Sequence, residues 1–294
     1  MSEKVELSII IVTWNSKEEI AECLRSVIDQ QGKDGDFIFE IIIIDNNSSD
    51  NTFRVIEKFK SYFNENITLI RNSDNLGFTK ACNQGIELAK GQNVLFLNPD
   101  TEIIDDALYK LCNYLNSNEK IGAVAPQLLY EDMTIQYSCR TLPKYRDMFF
   151  ELKLLSALFP KSKFFARWKM RYFSHNELSE VEQPMAAALM VKKNLLVKIG
   201  NMDERFVMFF NDIDLCKKIL DEGYKIAFYP EAKVIHRKGS SVYQDRARMI
   251  RMWNEDCLSY FKKHDYNIVF YPLLFLGLKI SGFFRIIFVK IKRR

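Results

Sequence analysis

Continuous apolar runs alternate with stretches of helical periodicity along the first 116 residues. The continuous runs Leu7–Val12 and Ile41–Ile44 are typical of strands buried on both faces, and Ile67–Ile70 and Asn93–Leu97 are predicted as two further strands. The apolar spacing between and after them predicts helices over residues 16–31, 79–90 and 105–116, and another that Ser49 or Asp50 can cap. Alternating strands and helices predict an α/β fold with a mostly parallel sheet flanked by helices.

Acidic and amide side chains directly follow two of these strands. Asp45 follows the second strand, and Asn98 and Asp100 follow the fourth. Ligands of such sheets bind beyond the carboxyl ends of the strands, so both motifs are expected on one rim. An aspartate in this position can bind Mg²⁺ or Mn²⁺, although Asn-Pro-Asp is also an ordinary turn.

Two later motifs carry further candidate chemistry. Asp212 and Asp214 open a predicted helix, where carboxylates can serve as a general base or simply stabilise the helix start. His236 is a candidate metal ligand, and the neighbouring Arg237 and Lys238 could neutralise a diphosphate. A lone histidine also has a purely structural interpretation.

Composition indicates a folded chain, and the positive charge is concentrated in its C-terminal segment. The 294 residues are 48% hydrophobic and 27% charged, which excludes a disordered protein. Residues 232–294 carry 14 Lys or Arg against 4 Asp or Glu, whereas residues 1–231 carry 28 against 34. Six cysteines without a CxxC pair indicate reduced, cytosolic thiols, and the charged start followed by a short apolar run predicts no export.

Two segments leave alternatives open. Residues 140–182 interleave aromatic and basic side chains, which suits a solvated helix with an aromatic inner face or a flap near a lipid or acceptor. The run Ile268–Leu278 is the longest without charge in the apolar C-terminal segment and contains Pro272. That run is short for a membrane span, so we expect 268–294 to lie on an anionic membrane surface, or else to pack on the core.

The motifs together resemble the family 2 glycosyltransferases with the GT-A fold, most closely the rhamnosyltransferase-like branch. The matching segments are Ile11–Asn15, Ile44–Asp50, Asn75–Gly85, Leu97–Thr101, Met185–Leu189, Phe209–Leu215 and His236. They span residues 7–241 in the family's order. The resemblance therefore implies a GT-A catalytic domain over 1–241, with a nucleotide-sugar half (1–116), an acceptor and base half (117–241, including the inserted 140–182), and a helical, membrane-associating extension (242–294).

The resemblance also implies a role for individual residues. The residues that it implies in nucleotide-sugar binding are Thr13, Asn15, Asp45, Arg71, Asn75, Gly77, Asn83 and Asn98. Asp45 would accept the pyrimidine N3–H, Asp100 and His236 would hold Mn²⁺ or Mg²⁺, and Asp212 would be the catalytic base. Two positions depart from the family pattern, because Asn98 and Asn211 stand where many members have an acid.

The implied activity is inverting transfer of a sugar, with dTDP-rhamnose the first choice of donor and a UDP-sugar the second. The implied acceptor is a lipid-linked or cell-surface glycan, at the cytoplasmic face of the cell membrane, with no nucleic-acid partner. A non-catalytic, membrane-associated scaffold with the same fold is the alternative. A dinucleotide-dependent oxidoreductase would need a glycine-rich turn after the first strand, and residues 13–17 contain no glycine.

Overall fold

The computed structural model describes residues 5–31, 37–63, 67–237 and 246–292. The strands are β1 Leu7–Thr13, β2 Phe39–Asp45, β3 Ile67–Arg71, β4 Asn93–Leu97, β5 Thr101–Ile103, β6 Ile121–Leu129, β7 Cys139–Arg140, β8 Ser179–Val181, β9 Gln183–Pro184, β10 Ala188–Lys192 and β11 Lys225–His236. The helices are α1 Ile20–Ile28, α2 Thr52–Phe63, α3 Phe78–Leu88, α4 Ala107–Ser117, α5 Tyr145–Leu152, α6 Leu155–Leu158, α7 Lys193–Lys198, α8 Asn211–Asp221, α9 Arg246–His264 and α10 Phe270–Lys292.

A central sheet has the order β3-β2-β1-β4-β10-β6-β11-β5, and β8 pairs with β11. Strands β1 to β4 are mutually parallel, and β6 and β11 run in the same direction. Strand β10 enters antiparallel between β4 and β6. The predicted α/β fold with a mostly parallel sheet is confirmed, and the four predicted strands are β1 to β4.

Successive side chains of the strands pack into two separate cores, one on each face of the sheet. Ile9, Ile41 and Leu95 belong to the core on one face, which α1, α2 and α4 cover. Ile10 and Ile42 belong to the core on the other face, which α3, α7 and α8 cover. Burial on both faces explains why β1 and β2 are continuous apolar runs rather than alternating ones. All six cysteines are buried and unpaired.

A third core joins the C-terminal helices to the start of α8. Met148 of α5, Trp168, Phe210, Phe261 of α9 and Leu274 of α10 are among its buried side chains. Within residues 140–182, Trp168 is buried in this core, whereas other aromatic side chains, such as the half-exposed Phe159 and Phe164, face outward. The predicted boundary at residue 241 lies outside the described residues, and the division into 1–241 and 242–294 stays a prediction.

Helix α10 is apolar around most of its circumference. Its segment Phe270–Ile291 has a mean hydropathy of 1.8 in its most apolar window, of which 17% is buried against the protein. Leu274 and Leu278 pack into the third core, whereas most other side chains of α10 are exposed, so the helix contacts the core along one side and has an apolar outer face. Length and composition also permit a membrane span, which differs from the expectation because the helix continues through Pro272 and tolerates Lys279 and Arg285.

Candidate active site

Three of the predicted nucleotide-binding residues lie in a row at one rim of the sheet. The parallel register pairs Thr13 with Asp45 and Asp45 with Arg71, at the carboxyl ends of β1, β2 and β3. Asp45 is fully buried, and its Oδ1 accepts hydrogen bonds from Thr13 Oγ1 (3.1 Å) and Ser48 Oγ (2.5 Å). Arg71 Nε lies 3.9 Å from Asp45 Oδ2 and its guanidinium stacks on Phe53. These contacts hold together the carboxyl ends of β1, β2 and β3.

Asn15 connects the two loops that leave this row. Its Oδ1 accepts the backbone N–H of Ser49 (2.8 Å), and its own N–H donates to Ser48 Oγ (2.9 Å). The φ of Asn15 is 51°, a left-handed conformation that asparagine tolerates better than most residues. Asn15 thus fixes the loop after β1 against the loop after β2.

A cavity of about 220 Å³ opens beside this rim. Four predicted residues line it: Asn75, Gly77, Asn98 and Asp100. The other lining residues were not individually predicted, and they include Trp14 and Asn46 and, from α9, Arg248, Met249 and Met252. Helix α9 therefore forms one wall of a cavity that lies, as predicted, beyond the ends of β1 and β4.

Gly77 is required by its backbone and by its neighbour. Its φ is 86°, and a Cβ atom would lie 2.6 Å from Val207 Cγ1. The next residue, Phe78, donates its N–H to Val207 O (3.1 Å), and Asn75 Oδ1 accepts the Gly77 N–H (3.0 Å). The backbone of Gly77 therefore approaches the protein's own 203–210 loop closely, beside the cavity.

Asn83 occupies a different place from the one predicted. Its side-chain Nδ2 donates to Met202 O (2.9 Å) and Glu204 Oε1 (3.1 Å), while its Oδ1 accepts the Met202 N–H (3.1 Å). Asn83 lines neither this cavity nor the second one described below. Its contacts position the start of the 203–210 loop against α3.

The two predicted metal ligands lie together. His236 Nε2 is 3.4 Å from Asp100 Oδ1 and 3.5 Å from Asn98 Nδ2, because His236 at the end of β11 pairs with Thr101 of β5. Adjacent ligands of an octahedral cation lie about 3 Å apart, so an imidazole nitrogen and a carboxylate at this spacing fit Mn²⁺ or Mg²⁺. Within the described residues no group of three or more His, Cys, Asp or Glu could hold a metal.

Gln136 fixes the orientation of His236 and was not foreseen. Its Nε2 donates to the backbone carbonyl of His236 (3.2 Å), which turns its Oε1 towards His236 Nδ1 (2.7 Å). An amide oxygen only accepts, so Nδ1 donates in this bond, and Nε2 is the ring nitrogen that faces Asp100. Such a partner is what orients a metal-binding imidazole. Gln136 lies 100 residues before His236, and nothing local in the sequence marks it.

Asp212 faces a second cavity of about 400 Å³. The two cavities share the lining residues Phe78, Asn98, Asp100 and Met208, so they meet at the Asp100–His236 pair. Gln183 Nε2 donates to Asp212 Oδ2 (2.9 Å), and the N–H of Ile213 donates to Oδ1 (2.8 Å). The carboxylate is therefore oriented and opens onto the second cavity.

Electrostatics around Asp212 suit proton transfer. Burial raises the pKa of Asp212 above the ordinary carboxyl value, and Arg140 counteracts part of this increase. Arg140 lines the same cavity and stacks on Trp168, 5.0 Å from the ring centre. A raised pKa makes the carboxylate a stronger base, provided that the pH stays high enough to keep it ionised.

The contacts of Asn211 favour an amide over the acid that many family members have at this position. Its Nδ2 donates to Thr79 Oγ1 (3.1 Å) and Met208 O (3.2 Å), and its Oδ1 accepts the Asp212 N–H (2.6 Å). An ionised carboxylate at this buried position could not donate to the Met208 carbonyl, whereas the amide of Asn211 does. Asn211 thus holds the first turn of α8.

Asp214 is structural, as the alternative interpretation of the motif allowed. It is fully buried, and its Oδ1 accepts hydrogen bonds from Lys263 Nζ (2.5 Å) and His264 Nε2 (2.6 Å). Both partners belong to the last turn of α9. Asp214 therefore ties α9 to α8 and faces away from the cavity that Asp212 lines.

The turn before Asp212 is strained and held from α9. Phe210 has φ 57°, which a bulky residue rarely adopts, and its ring packs against Trp253 and Tyr260. Asp256 accepts the Phe209 N–H (2.8 Å), and burial raises the pKa of Asp256 to about 6. These contacts hold Phe210 in a left-handed backbone conformation that costs about 1–3 kcal/mol for a residue other than glycine.

Arg237 lies away from any diphosphate site, in contrast to the expectation from its position beside His236. Its guanidinium forms ion pairs with Glu22, Glu102 (3.1 Å) and Glu131 (3.0 Å). Successive strand side chains point to opposite faces, which separates Arg237 from His236. Lys238 lies outside the described residues.

Known glycosyltransferases resemble this chain in sequence. The poly(ribitol-phosphate) beta-glucosyltransferase of Bacillus spizizenii is 33% identical over 116 residues, which are 39% of this chain and 18% of that protein. The N-acetylglucosaminyl-diphospho-decaprenol L-rhamnosyltransferase of Mycobacterium tuberculosis is 24% identical over 223 residues, covering 70% of this chain and 69% of that one. The chain thus spans less than a fifth of the first relative's length.

Solved structures show the same fold. The mannosyltransferase PcManGT from Pyrobaculum calidifontis, in complex with GDP-Man and Mn²⁺, has a TM-score of 0.59 at 16% identity, covering 95% of this chain and 74% of that one. The sequence model described as glycosyl transferase family 2 matches residues 8–176, more than half of the chain. The chain therefore belongs to glycosyl transferase family 2.

Proposed function

We propose that this glycosyltransferase moves a sugar, with inversion, from a nucleotide-diphosphate donor to a hydroxyl of a lipid-linked or cell-surface glycan. The observation that carries the proposal is the meeting of two cavities at Asp100 and His236, with Asp212 oriented in the second. One cavity would hold the donor and the other the acceptor, so that the bond to be made lies where they join.

The donor's nucleotide would lie along the rim and its diphosphate in the first cavity. Asp45 Oδ2 accepts the pyrimidine N3–H beside the Ser48 N–H that it already binds, after the half-exposed Arg71 side chain moves aside. Thr13 and Asn15 position these loops, and Asn75 and Gly77 line the path towards the diphosphate.

Asp100 and His236 would hold Mn²⁺ or Mg²⁺, with Asn98 beside them. The bound cation would supply positive charge for the diphosphate as it leaves. Two protein ligands agree with the way such cations keep positions for waters and substrate phosphates. Gln136 would preserve the histidine tautomer that binding requires.

Asp212 would remove the proton of the acceptor hydroxyl as its oxygen attacks the anomeric carbon. The new C–O bond forms on the face opposite the leaving nucleoside diphosphate, the C–O bond to the diphosphate breaks, and the proton stays on Asp212. One displacement of this kind inverts the anomeric configuration. The buried position of the carboxylate and its bonds from Gln183 and Ile213 support this role.

The proposed donor is dTDP-rhamnose, with a UDP-sugar as the alternative. Support comes from the relative in Mycobacterium tuberculosis, whose name gives L-rhamnosyl transfer to a diphospho-decaprenol-linked acceptor. The exposed apolar face of α10 and its basic residues support a place at the cytoplasmic face of a membrane.

A panel of nucleotide sugars tests the function. We expect one donor class to release its nucleoside diphosphate only with a lipid-linked acceptor and Mn²⁺, and EDTA to stop the release. Donor binding without release from any donor and acceptor would instead support a non-catalytic scaffold.

Arg248 should contribute to donor affinity. Its side chain lines the first cavity from α9, so we expect Arg248→Gln to weaken nucleoside diphosphate binding about fivefold to tenfold, as loss of a charge-assisted contact implies. The matched control is Arg251→Gln, also exposed on α9 but not lining the cavity. Isothermal titration of the diphosphate measures both, and equal affinities for the two variants would remove Arg248 from the site.

A further inference from the structure

A second apolar feature lies between the two C-terminal helices. A groove of about 880 Å³ separates α9 from α10, and it is lined by Met249, Ile250 and Trp253 on one side and by Phe284, Ile287 and Phe288 on the other. The groove-lining part of α10 extends from Phe284 to Ile291, about 11 Å at the helical rise. Its shape is a channel along the helices rather than a closed cavity.

The groove shares wall residues with the proposed catalytic site. Phe209 and Trp253 line both the groove and the cavity of Asp212. Phe209 lies only three residues before Asp212, in the strained turn that α9 holds through Asp256. Met249 lines both the groove and the donor cavity. A long ligand in the groove would therefore have one end beside the base.

The chemistry of the groove selects a hydrocarbon with an anionic head. Its walls are aromatic and aliphatic, and such surfaces gain free energy by leaving water. Arg246 and Arg285 also line it and bring positive charge that matches a phosphate group. A sugar chain alone would leave the apolar walls exposed, and a peptide would leave backbone groups without partners there.

We propose that this groove binds the hydrocarbon chain of a polyprenyl-phosphate-linked acceptor and thereby places the acceptor sugar at Asp212. This proposal rests on the proposed glycosyl transfer and assigns the acceptor's lipid to α9 and α10. The acceptor chain occupies the groove, while the outer apolar face of α10 remains available to the membrane. Specificity for a lipid-linked acceptor then comes from the same helix that associates with the bilayer.

Two adjacent phenylalanines give a matched pair of variants. Phe284 lines the groove and is 64% exposed, whereas Phe283 does not line it and is 62% exposed. Since both are exposed, neither substitution removes a core side chain. Phe283→Gln and Phe284→Gln should therefore change membrane affinity equally, and only Phe284→Gln should change acceptor affinity.

The test is a titration of the full-length protein in detergent with polyprenyl phosphate, followed by Trp fluorescence. Trp253 reports from the groove wall, and the signal should disappear in Trp253→Phe. We expect Phe284→Gln to raise the Kd about tenfold, because the bound chain would lose the aromatic side chain that it covers. The Kd of Phe283→Gln should stay within about twofold of wild type. Butyl phosphate should bind at least tenfold more weakly than polyprenyl phosphate.

Several outcomes would overturn the proposal. Equal Kd changes in Phe283→Gln and Phe284→Gln would attribute binding to the outer face of α10, and equal affinity for butyl phosphate would exclude a chain-binding groove. A dimer that only Phe284→Gln dissociates would assign the groove to a second copy of the chain. Because the titration needs no donor, lipid binding without any sugar transfer would contradict the proposed function but would still support the assignment of the groove to a lipid chain.

Discussion

The Asp212→Asn variant should bind the donor like the wild type and lose sugar transfer. Asparagine keeps the size of the side chain, and its amide oxygen can still accept the Ile213 N–H, but its Nδ2 replaces the oxygen that Gln183 binds and it cannot accept the hydroxyl proton. General-base catalysis contributes about 10²- to 10⁴-fold, so kcat should fall by about three orders of magnitude. Donor affinity by isothermal titration and turnover by nucleoside diphosphate release give the two measurements.

Asp214→Asn provides the opposite result and serves as the control. Asp214 is buried against Lys263 and His264, and removal of one partner of a buried ion pair costs about 3–5 kcal/mol. This variant should unfold at a lower temperature, while the molecules that remain folded turn over at close to the wild-type rate. If Asp214→Asn lost turnover without loss of stability while Asp212→Asn kept it, the two roles would have to be exchanged.

The Asp100→Asn variant should lose metal-dependent donor binding. Asn98 already replaces one carboxylate of the family pattern, so this substitution removes the one acidic side chain that the described part of the chain places beside His236 Nε2. Because hard divalent cations need anionic oxygen ligands, we expect Mn²⁺ to improve nucleoside diphosphate affinity in the wild type by about 100-fold and in the variant by less than threefold.

Glu102→Gln is the matched control for that experiment. Glu102 is two residues further on, but its carboxylate pairs with Arg237 (3.1 Å) and does not approach His236. The Mn²⁺ effect should be unchanged in this variant. A full Mn²⁺ effect in Asp100→Asn would remove Asp100 from the metal site.

The strand-rich first half of the fold was predictable because its signal is local. Strands β1, β2 and β4 are buried along their whole length and contain continuous apolar runs, as burial on both faces of a parallel sheet requires. The rim position of Asp45 and Asp100 followed from strand direction alone. Strand β10 was not predicted, because its antiparallel place between β4 and β6 depends on pairing with distant residues.

The parts of the site that the sequence did not reveal all depend on contacts across long chain separations. Gln136 reaches His236 from 100 residues away, and Asp256 supports the turn before Asp212 from α9. The wall that α9 contributes to the donor cavity also comes from the far end of the chain. Periodicity carries no information about such contacts, because each residue has an unremarkable local context.

The anomeric configuration of the product tests the central claim most directly. The wild-type protein would be incubated with its nucleotide-sugar donor, Mn²⁺ and a lipid-linked acceptor, and the product's anomeric signal recorded by ¹H and ¹³C NMR from the first turnovers. A single displacement assisted by Asp212 predicts one sugar transferred per nucleoside diphosphate released, with the configuration opposite to that of the donor. Retention of the donor's configuration would contradict the account.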